Sequence, residues 1–229
     1  SKLSDPGRRA RELQHNGQPV LISYEAAWRK SSRAYEELAA LVNALPASAP
    51  EAASEAHLAD SNGTDLTLEL AGRKAIPDAG ELTEPGAFGN LPCGEGFISP
   101  AGGHGTLVVD GSLAGIGLAA EPVELVVEGG HLTSARGGQG MAFMELLTEY
   151  GDDATNVAEL GIGTNEKAKL TGEILEDEKI LGSAHVAFGA SAGIGGTVQV
   201  PVHLDCIVIK PTVELDGEAI VRDGGLLIS

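Results

Sequence analysis

From residue 65 onward the sequence is a series of short apolar segments that end at glycines, and this pattern constrains the fold most strongly. Leu66, Leu68 and Leu70 alternate with polar residues, as in a strand with one buried face. Further strands are predicted at 106–110, 123–128, 184–188 and 200–209, and a hairpin at 213–221 with Asp216-Gly217 as its turn. We therefore expect an α+β fold: a β-rich domain with few helices.

The clearest helix is predicted at 141–150, with Met141, Met144, Leu147 and Tyr150 on its inner face. Because aromatic residues make up only 3% of the chain, aliphatic side chains must build most of the core. The 32 glycines indicate many tight turns and close backbone approaches.

Residues 1–60 differ from the rest and are predicted to be a short, incomplete N-terminal α/β portion. A strand at 21–24, a helix at 33–45 and an Ala/Pro/Ser-rich linker at 46–55 are its expected parts. Residues 61–229 are expected to form a second, β-rich domain.

The charge balance restricts the classes of partner. A net charge of −18, from 33 acidic and 15 basic residues, disfavours nucleic acid and anionic membranes as partners. No apolar run reaches the ~18–20 residues that span a bilayer. The two cysteines, Cys93 and Cys206, form no CxxC motif, and a cytoplasmic location is expected.

The most informative local feature is His203-Leu204-Asp205 within the apolar run at 200–209. Residues two apart on a strand point to the same face, so His203 and Asp205 project into one region. Burying an imidazole and a carboxylate is unfavourable unless they are paired or bind a metal. A plain His–Asp hydrogen bond in the core explains this pair equally well.

Three other residues lie in comparable surroundings. His185 occupies an apolar strand, Glu159 lies among apolar and small residues, and Glu95 is flanked by glycines. Each alone is a weak signal: a buried histidine is usually structural, and a loop glutamate is usually exposed. The acidic cluster at 175–179 is typical of a solvated turn, although Glu178 could orient a ligand.

Together these residues supply two histidines and three carboxylates, a nitrogen and oxygen set that suits zinc, cobalt, manganese or iron. Five such ligands fit a two-metal hydrolytic site, and two histidines with one carboxylate fit a mononuclear non-haem iron site. Nucleotide loops, GxSxG and HExxH are absent from the sequence. Cys93 has no evident base that would make it a nucleophile.

Six strings in order resemble the aminopeptidase T metallopeptidase family over roughly residues 60–229. They are NLPCGE at 90–95, AELGIGTN at 158–165, LEDEK at 175–179, HVAFG at 185–189, VHLD at 202–205 and VELDG at 213–217. The resemblance implies that Glu95, Glu159, His185, His203 and Asp205 bind two divalent ions, zinc or cobalt. It also implies a homodimer that removes N-terminal residues from peptides.

On this interpretation the chain is a metal-dependent hydrolase of the aminopeptidase type, acting on a peptide or small-molecule substrate. A metal-activated water attacks, and Glu95 or Glu159 moves the proton. Two features depart from the family: Ala192 stands where the peptidases carry a tyrosine, and the N-terminal domain is short.

Two alternatives remain open. Ring-cleaving dioxygenases that act on dihydroxypyridine resemble this fold and use one Fe(II), held partly by the same His-x-Asp pair. The other alternative is a metal-binding protein without enzymatic activity.

Overall fold

The computed structural model describes residues 53–78, 80 and 90–227. The strand predicted at 21–24 and the helix predicted at 33–45 lie outside these residues, as does most of the linker at 46–55. The domain boundary at residue 60 also stays a prediction. The strand at 55–59, just before that boundary, is inserted in a sheet of the main body.

Strands dominate the described residues, as the alternating apolar pattern predicts. In chain order they are β1 (Glu55–Ala59), β2 (Asp65–Glu69), β3 (Ile76–Asp78), β4 (Glu95–Ile98), β5 (Gly102–Val109), β6 (Ser112–Leu113), β7 (Gly117–Leu118), β8 (Val123–Glu128), β9 (His131–Arg136), β10 (Val157–Gly163), β11 (Ala184–Gly189), β12 (His203–Val208), β13 (Thr212–Leu215), β14 (Glu218–Arg222) and β15 (Gly225–Leu226). The helices are α1 (Gly140–Thr148), the short α2 (Ile174–Asp177) and two 3₁₀ turns, Asp152–Thr155 and Ala192–Ile194. The expectation of a β-rich fold with few helices is confirmed.

The strands form two antiparallel sheets. The larger has eight strands in the order β15-β14-β13-β1-β2-β5-β8-β9, and the smaller has seven in the order β3-β4-β10-β11-β12-β6-β7. The predicted hairpin joins β13 and β14, and its turn residues Asp216 and Gly217 have φ of 49° and 84°. Both angles lie in the left-handed region that a two-residue hairpin turn requires.

One hydrophobic cluster joins the two sheets. From the eight-stranded sheet it includes Leu58, Leu66, Leu68, Leu107, Leu125 and Val213; from the seven-stranded sheet it includes Leu160, Ile162, Val186, Phe188, Cys206 and Val208. Burying each aliphatic side chain of this size contributes roughly 1.5–3 kcal/mol. The two sheets therefore stabilise each other through one continuous core.

The seven-stranded sheet has two chemically different faces. Leu160, Val186 and Cys206 are paired across β10, β11 and β12 and belong to the core cluster. Their neighbours one residue away, such as Glu159 and Asp205, must project from the opposite face. We call this opposite face the polar face; it carries the residues described in the next section.

The inner face of α1 differs from the predicted one. Phe143 and Leu147 are fully buried, whereas Met141 is 71% exposed and Tyr150 is 44% exposed. Met144 is partly buried against the core. Two apolar stripes are possible in this helix, and the choice of Met141 was wrong. The Phe143 ring instead meets Phe188 edge-on, with centroids 6.1 Å apart.

This geometry predicts opposite outcomes for two substitutions on α1. Phe143→Ala should lower the free energy of unfolding by about 3–5 kcal/mol, because it leaves a cavity beside Phe188. Met141→Ala should change it by less than about 0.5 kcal/mol, because the side chain lies in solvent. Urea denaturation of both variants checks this, and a larger loss for Met141→Ala would contradict the buried face assigned to α1.

Candidate metal centre

Strand register brings the predicted ligands onto the polar face. Glu159 of β10 is paired with Ala187 of β11, which in turn is paired with Asp205 of β12. His185 lies two residues before Ala187, and His203 lies two residues before Asp205. Four of the predicted residues therefore share one face of three neighbouring strands.

Glu95 joins them from the first residue of β4. It is paired with Gly163 of β10 and is also on the polar face. Its side chain is 4% exposed, and its Oε2 lies 3.5 Å from His185 Nε2. Glu95 therefore does not have the exposure usual for a loop glutamate, because it begins a strand that is paired within the sheet.

Glu159 is the link between the two histidines. His185 Nε2 donates a hydrogen bond to Glu159 Oε1 at 3.2 Å. His203 Nε2 lies 3.3 Å from Glu159 Oε2 and 3.5 Å from Asp205 Oδ1. All five residues predicted from the sequence are thus in one continuous cluster.

Backbone contacts fix the orientation of both rings. The Nδ1 of His203 donates a hydrogen bond to the Ala190 carbonyl at 2.8 Å, which turns Nε2 toward the carboxylates. The ring of His185 lies directly against Gly161, where a Cβ atom would collide with Nε2 and Cε1. The AELGIG string is therefore partly a packing requirement, since it leaves space for the imidazole.

A second group of charged residues adjoins the cluster and was largely missed from the sequence. Lys179 is fully buried, and its Nζ donates hydrogen bonds to Glu178 and, at 2.6 Å, to Glu95 Oε1. Asp78 Oδ2 lies 3.8 Å from the same nitrogen. The interpretation of 175–179 as a solvated turn is wrong for Asp177, Glu178 and Lys179, which are all buried.

This segment is buried because hydrogen bonds of Asp177 attach it to the sheet. Asp177 accepts hydrogen bonds from Ser112 Oγ, from Thr171 N and Oγ and from Gly172 N. These contacts hold α2 against the polar face. Because the contact with the sheet, from Ser112 to Asp177, joins residues far apart in sequence, the acidic run alone gives no indication of it.

Burial and mutual contacts shift the pKa values in opposite directions. Burial raises the pKa of Glu95 to about 8, although Lys179 opposes the shift. Burial would also raise the pKa of Glu159, but hydrogen bonds from His185 and His203 outweigh it and lower the value to about 2.

The two imidazoles are shifted upward. Burial alone would lower both pKa values, but the hydrogen bond to Glu159 and the charge of Glu95 raise that of His185 to about 9. Hydrogen bonds to Asp205 and Glu159 raise that of His203 to about 11. In the metal-free protein, protons on the imidazoles therefore compensate the buried carboxylates at neutral pH.

The donor atoms fit a metal ion. In the described part of the chain, two groups have donor atoms within 4.8 Å of one another: Glu159, His185 and Asp205 form one, and Glu95, Glu178 and His185 form the other. Glu95 Oε2 is buried and accepts no hydrogen bond from these residues. Imidazole nitrogens and carboxylate oxygens are the ligands that iron, zinc and related ions take in proteins.

Comparison with known proteins decides the family. The NicX family profile, described as 2,5-dihydroxypyridine 5,6-dioxygenase, matches residues 11–228. The chain belongs to the NicX family.

A curated relative agrees with the assignment to the NicX family. A 2,5-dihydroxypyridine 5,6-dioxygenase from Pseudomonas putida is 25% identical over 187 residues, which cover 75% of this chain and 53% of the relative. The chain thus spans about half the length of the curated relative that it matches.

Two solved structures show the same fold. The 2,5-dihydroxypyridine dioxygenase of P. putida KT2440 superposes with a TM-score of 0.75 at 20% identity, covering 89% of this chain and 60% of that one. Wild-type AmpT from Thermus thermophilus has a TM-score of 0.69 at 25% identity, covering 90% of this chain and 56% of that one.

The expected membership of the aminopeptidase T family is therefore wrong, and so are the hydrolase, metallopeptidase and aminopeptidase assignments. NicX family membership supports the dioxygenase alternative. The strings that carried the resemblance describe a scaffold which AmpT shares, and a shared scaffold does not fix the reaction. Ala192, which departs from the peptidase pattern, lies exposed in a 3₁₀ turn beyond β11.

The remaining expectations have different outcomes. Among the other histidines, His104 and His131 are exposed, whereas His57 is half-buried and bonded to Asp65. His15 lies outside the described residues. Among the helices that the structure describes, none is long and apolar enough to cross a bilayer. The homodimer, the exclusion of nucleic acid and membrane partners, and the cytoplasmic location stay predictions.

The contact between Gly161 and His185 gives a structural prediction for this NicX family member. Gly161→Ala should push the His185 ring out of place, lowering stability by about 1–3 kcal/mol and weakening metal binding. Gly193→Ala is the matched control, because its Cβ would meet nothing within 4 Å. Thermal unfolding and metal titration of both variants provide the measurement, and equal behaviour would argue against the close contact.

Metal uptake should tighten as pH rises from about 6 to about 8, because a metal must displace imidazole protons that are bound with raised pKa values. The ion pairs between the imidazoles and the carboxylates have the opposite pH dependence, because they need protonated histidines. Their contribution to stability is complete below the ordinary histidine pKa of 6.5, and for His185 it is lost as pH rises through about 9. Calorimetry in buffers of different ionisation enthalpy should detect proton release. Binding that is independent of pH would show that these imidazoles are not ligands.

Proposed function

We propose that this chain carries the metal centre of a non-haem Fe(II) dioxygenase that opens the ring of a dihydroxylated pyridine. Membership of the NicX family supports the reaction class and the substrate class. The observation that carries the proposal is the buried cluster in which Glu159 contacts both His185 and His203 beside Asp205.

His185, His203 and Asp205 are the proposed iron ligands. Two imidazoles and one carboxylate form the set that non-haem Fe(II) oxygenases use, which leaves other coordination positions open. Glu159 lies between the imidazoles and can serve as a further ligand. When bound, Fe(II) supplies the one-electron and oxygen chemistry that amino-acid side chains lack.

The two glutamates suit different roles. Glu159, with its pKa lowered to about 2, remains ionised and is a poor proton acceptor at neutral pH. Glu95, with a pKa raised to about 8, can exchange a proton near neutral pH. We assign Glu95 Oε2, which accepts no hydrogen bond from the described residues, to take up a proton from a substrate hydroxyl.

Exposure indicates the direction of substrate approach. The His185 side chain is fully buried, whereas that of His203 is 31% exposed. Lys179 and Glu178 cover the other end of the cluster. An aromatic substrate therefore approaches over His203 and Asp205, and the half-buried Phe97 lies on the same polar face.

Oxygen consumption by the Fe(II)-loaded protein tests the proposal. The protein should consume O₂ when 2,5-dihydroxypyridine is added, and labelled O₂ should place both oxygen atoms in the ring-opened product. His203→Ala should abolish oxygen consumption and lower the iron content. The loss of iron affinity should exceed about 10–100-fold, which is the effect typical of losing a residue that contacts a ligand without binding the metal.

The exposed His104 provides a matched control for this experiment. His104→Ala should retain both iron and activity, since its side chain lies on the eight-stranded sheet. If the folded, iron-loaded protein consumes no oxygen with dihydroxylated pyridines, the proposed reaction is wrong. Unchanged iron content in His203→Ala would contradict the ligand assignment alone.

A further inference from the structure

Lys179 is a fully buried cation that the ligand set does not explain. Its ammonium group donates to Glu95 Oε1 and to Glu178, and Asp78 Oδ2 lies 3.8 Å away. Desolvating a charged amine is strongly unfavourable unless paired carboxylates compensate it. Because this burial is unfavourable in itself, we expect the ammonium group to have a role beside the cluster.

The backbone around Lys179 is adapted to this placement. A Cβ on Gly163 would collide with the Ile180 carbonyl oxygen, so a glycine in β10 lets the segment after α2 lie directly on the sheet. Asn165 N donates to the Lys179 carbonyl at 2.8 Å. Together with the hydrogen bonds of Asp177, these contacts fix the lysine backbone above the polar face.

The consequence of this placement is an asymmetric Glu95 carboxylate. Lys179 binds Oε1, whereas Oε2 faces His185 Nε2 at 3.5 Å and accepts no hydrogen bond within the described residues. A glutamate without the lysine could rotate about its terminal torsion, which is broad and roughly two-fold. The ammonium removes that freedom and leaves one oxygen directed at the cluster.

We propose that Lys179 is a positioning residue of the metal centre, which fixes Glu95 so that its second oxygen faces His185 and would face a metal bound there. Lys179 itself would contact neither metal nor substrate, because its ammonium group is held by Glu95 and Glu178. Partners of this kind outside the ligand set often determine metal affinity, because they hold a ligand or proton acceptor in its working orientation. The inference rests on the proposed function for the presence of the metal.

Removing the lysine's charge should therefore weaken metal binding without removing a ligand. Lys179→Met should lower the affinity for Fe(II) and Co(II) by about 10–100-fold. It should also change the visible absorption of the Co(II)-loaded protein, because Glu95 then moves relative to the ion. Lys167→Met makes the same chemical change at an exposed position and should alter neither property.

A second variant keeps the test decisive if Lys179→Met does not fold. Glu95→Gln retains the size of the side chain but removes the negative charge that faces His185. It should therefore weaken metal affinity by a similar factor, although Glu95 lies outside the proposed ligand set. If both variants fold, the double variant should be no weaker than the worse single one, since the lysine acts through the glutamate. A non-additive result of this kind is not expected of a purely structural lysine.

The inference is overturned if folded Lys179→Met keeps the wild-type affinity and cobalt spectrum, or if Glu95→Gln leaves metal affinity unchanged. It is also overturned if wild-type protein binds no metal. Failure of the proposed function alone gives a different result: the wild-type protein binds metal and responds to Lys179→Met, but consumes no oxygen with a dihydroxylated pyridine.

Discussion

The two-residue period of the seven-stranded sheet is the constraint on which the rest of the structure depends. Along β10, β11 and β12, one set of residues must enter the hydrophobic core, and the alternate set must occupy the other face. Leu160, Val186 and Cys206 belong to the first set, and Glu159 and Asp205 to the second. A shift of register by one residue would place carboxylates in the core and leave the site without ligands. Stability and site assembly therefore depend on the same register.

This dependence explains how much could be predicted from the sequence. His203 and Asp205 were placed on one face because their spacing is local, and the strands around them were predicted for the same reason. Lys179 could not be placed, because its burial depends on hydrogen bonds to segments more than sixty residues away, such as that of Asp177 with Ser112. The buried face of α1 was predicted wrongly for a related reason. Met141 and Phe143 are both apolar, and tertiary packing, such as the contact of Phe143 with Phe188, selects between them.

The misassigned reaction has a physical origin as well. Two of the six strings shared with the aminopeptidase T family contain glycines that the fold itself needs. Gly161 leaves space for the His185 ring, and Gly163 leaves space for the Ile180 carbonyl. Gly217 adopts the positive φ that the turn of the β13–β14 hairpin requires. Glycines of this kind serve the fold and do not by themselves indicate which reaction the scaffold supports. The length of the profile match, over residues 11–228, carries the information that these short strings lack.

The electrostatics of the cluster join the metal-free fold to its proposed function. Without a metal, five buried carboxylates face one lysine and two imidazoles, so the histidines must hold protons to limit the repulsion. A divalent ion can replace those protons without rearranging the strands, since His203 Nδ1 is already bonded to the Ala190 carbonyl and its Nε2 already faces Glu159. Lys179 is different, because its ammonium is held by Glu95 and Glu178 and has no proton that a metal needs to displace. The polar face thus carries two kinds of positive charge. The Lys179 ammonium orients carboxylates and stays protonated, whereas the protons on His185 and His203 can be replaced by a metal.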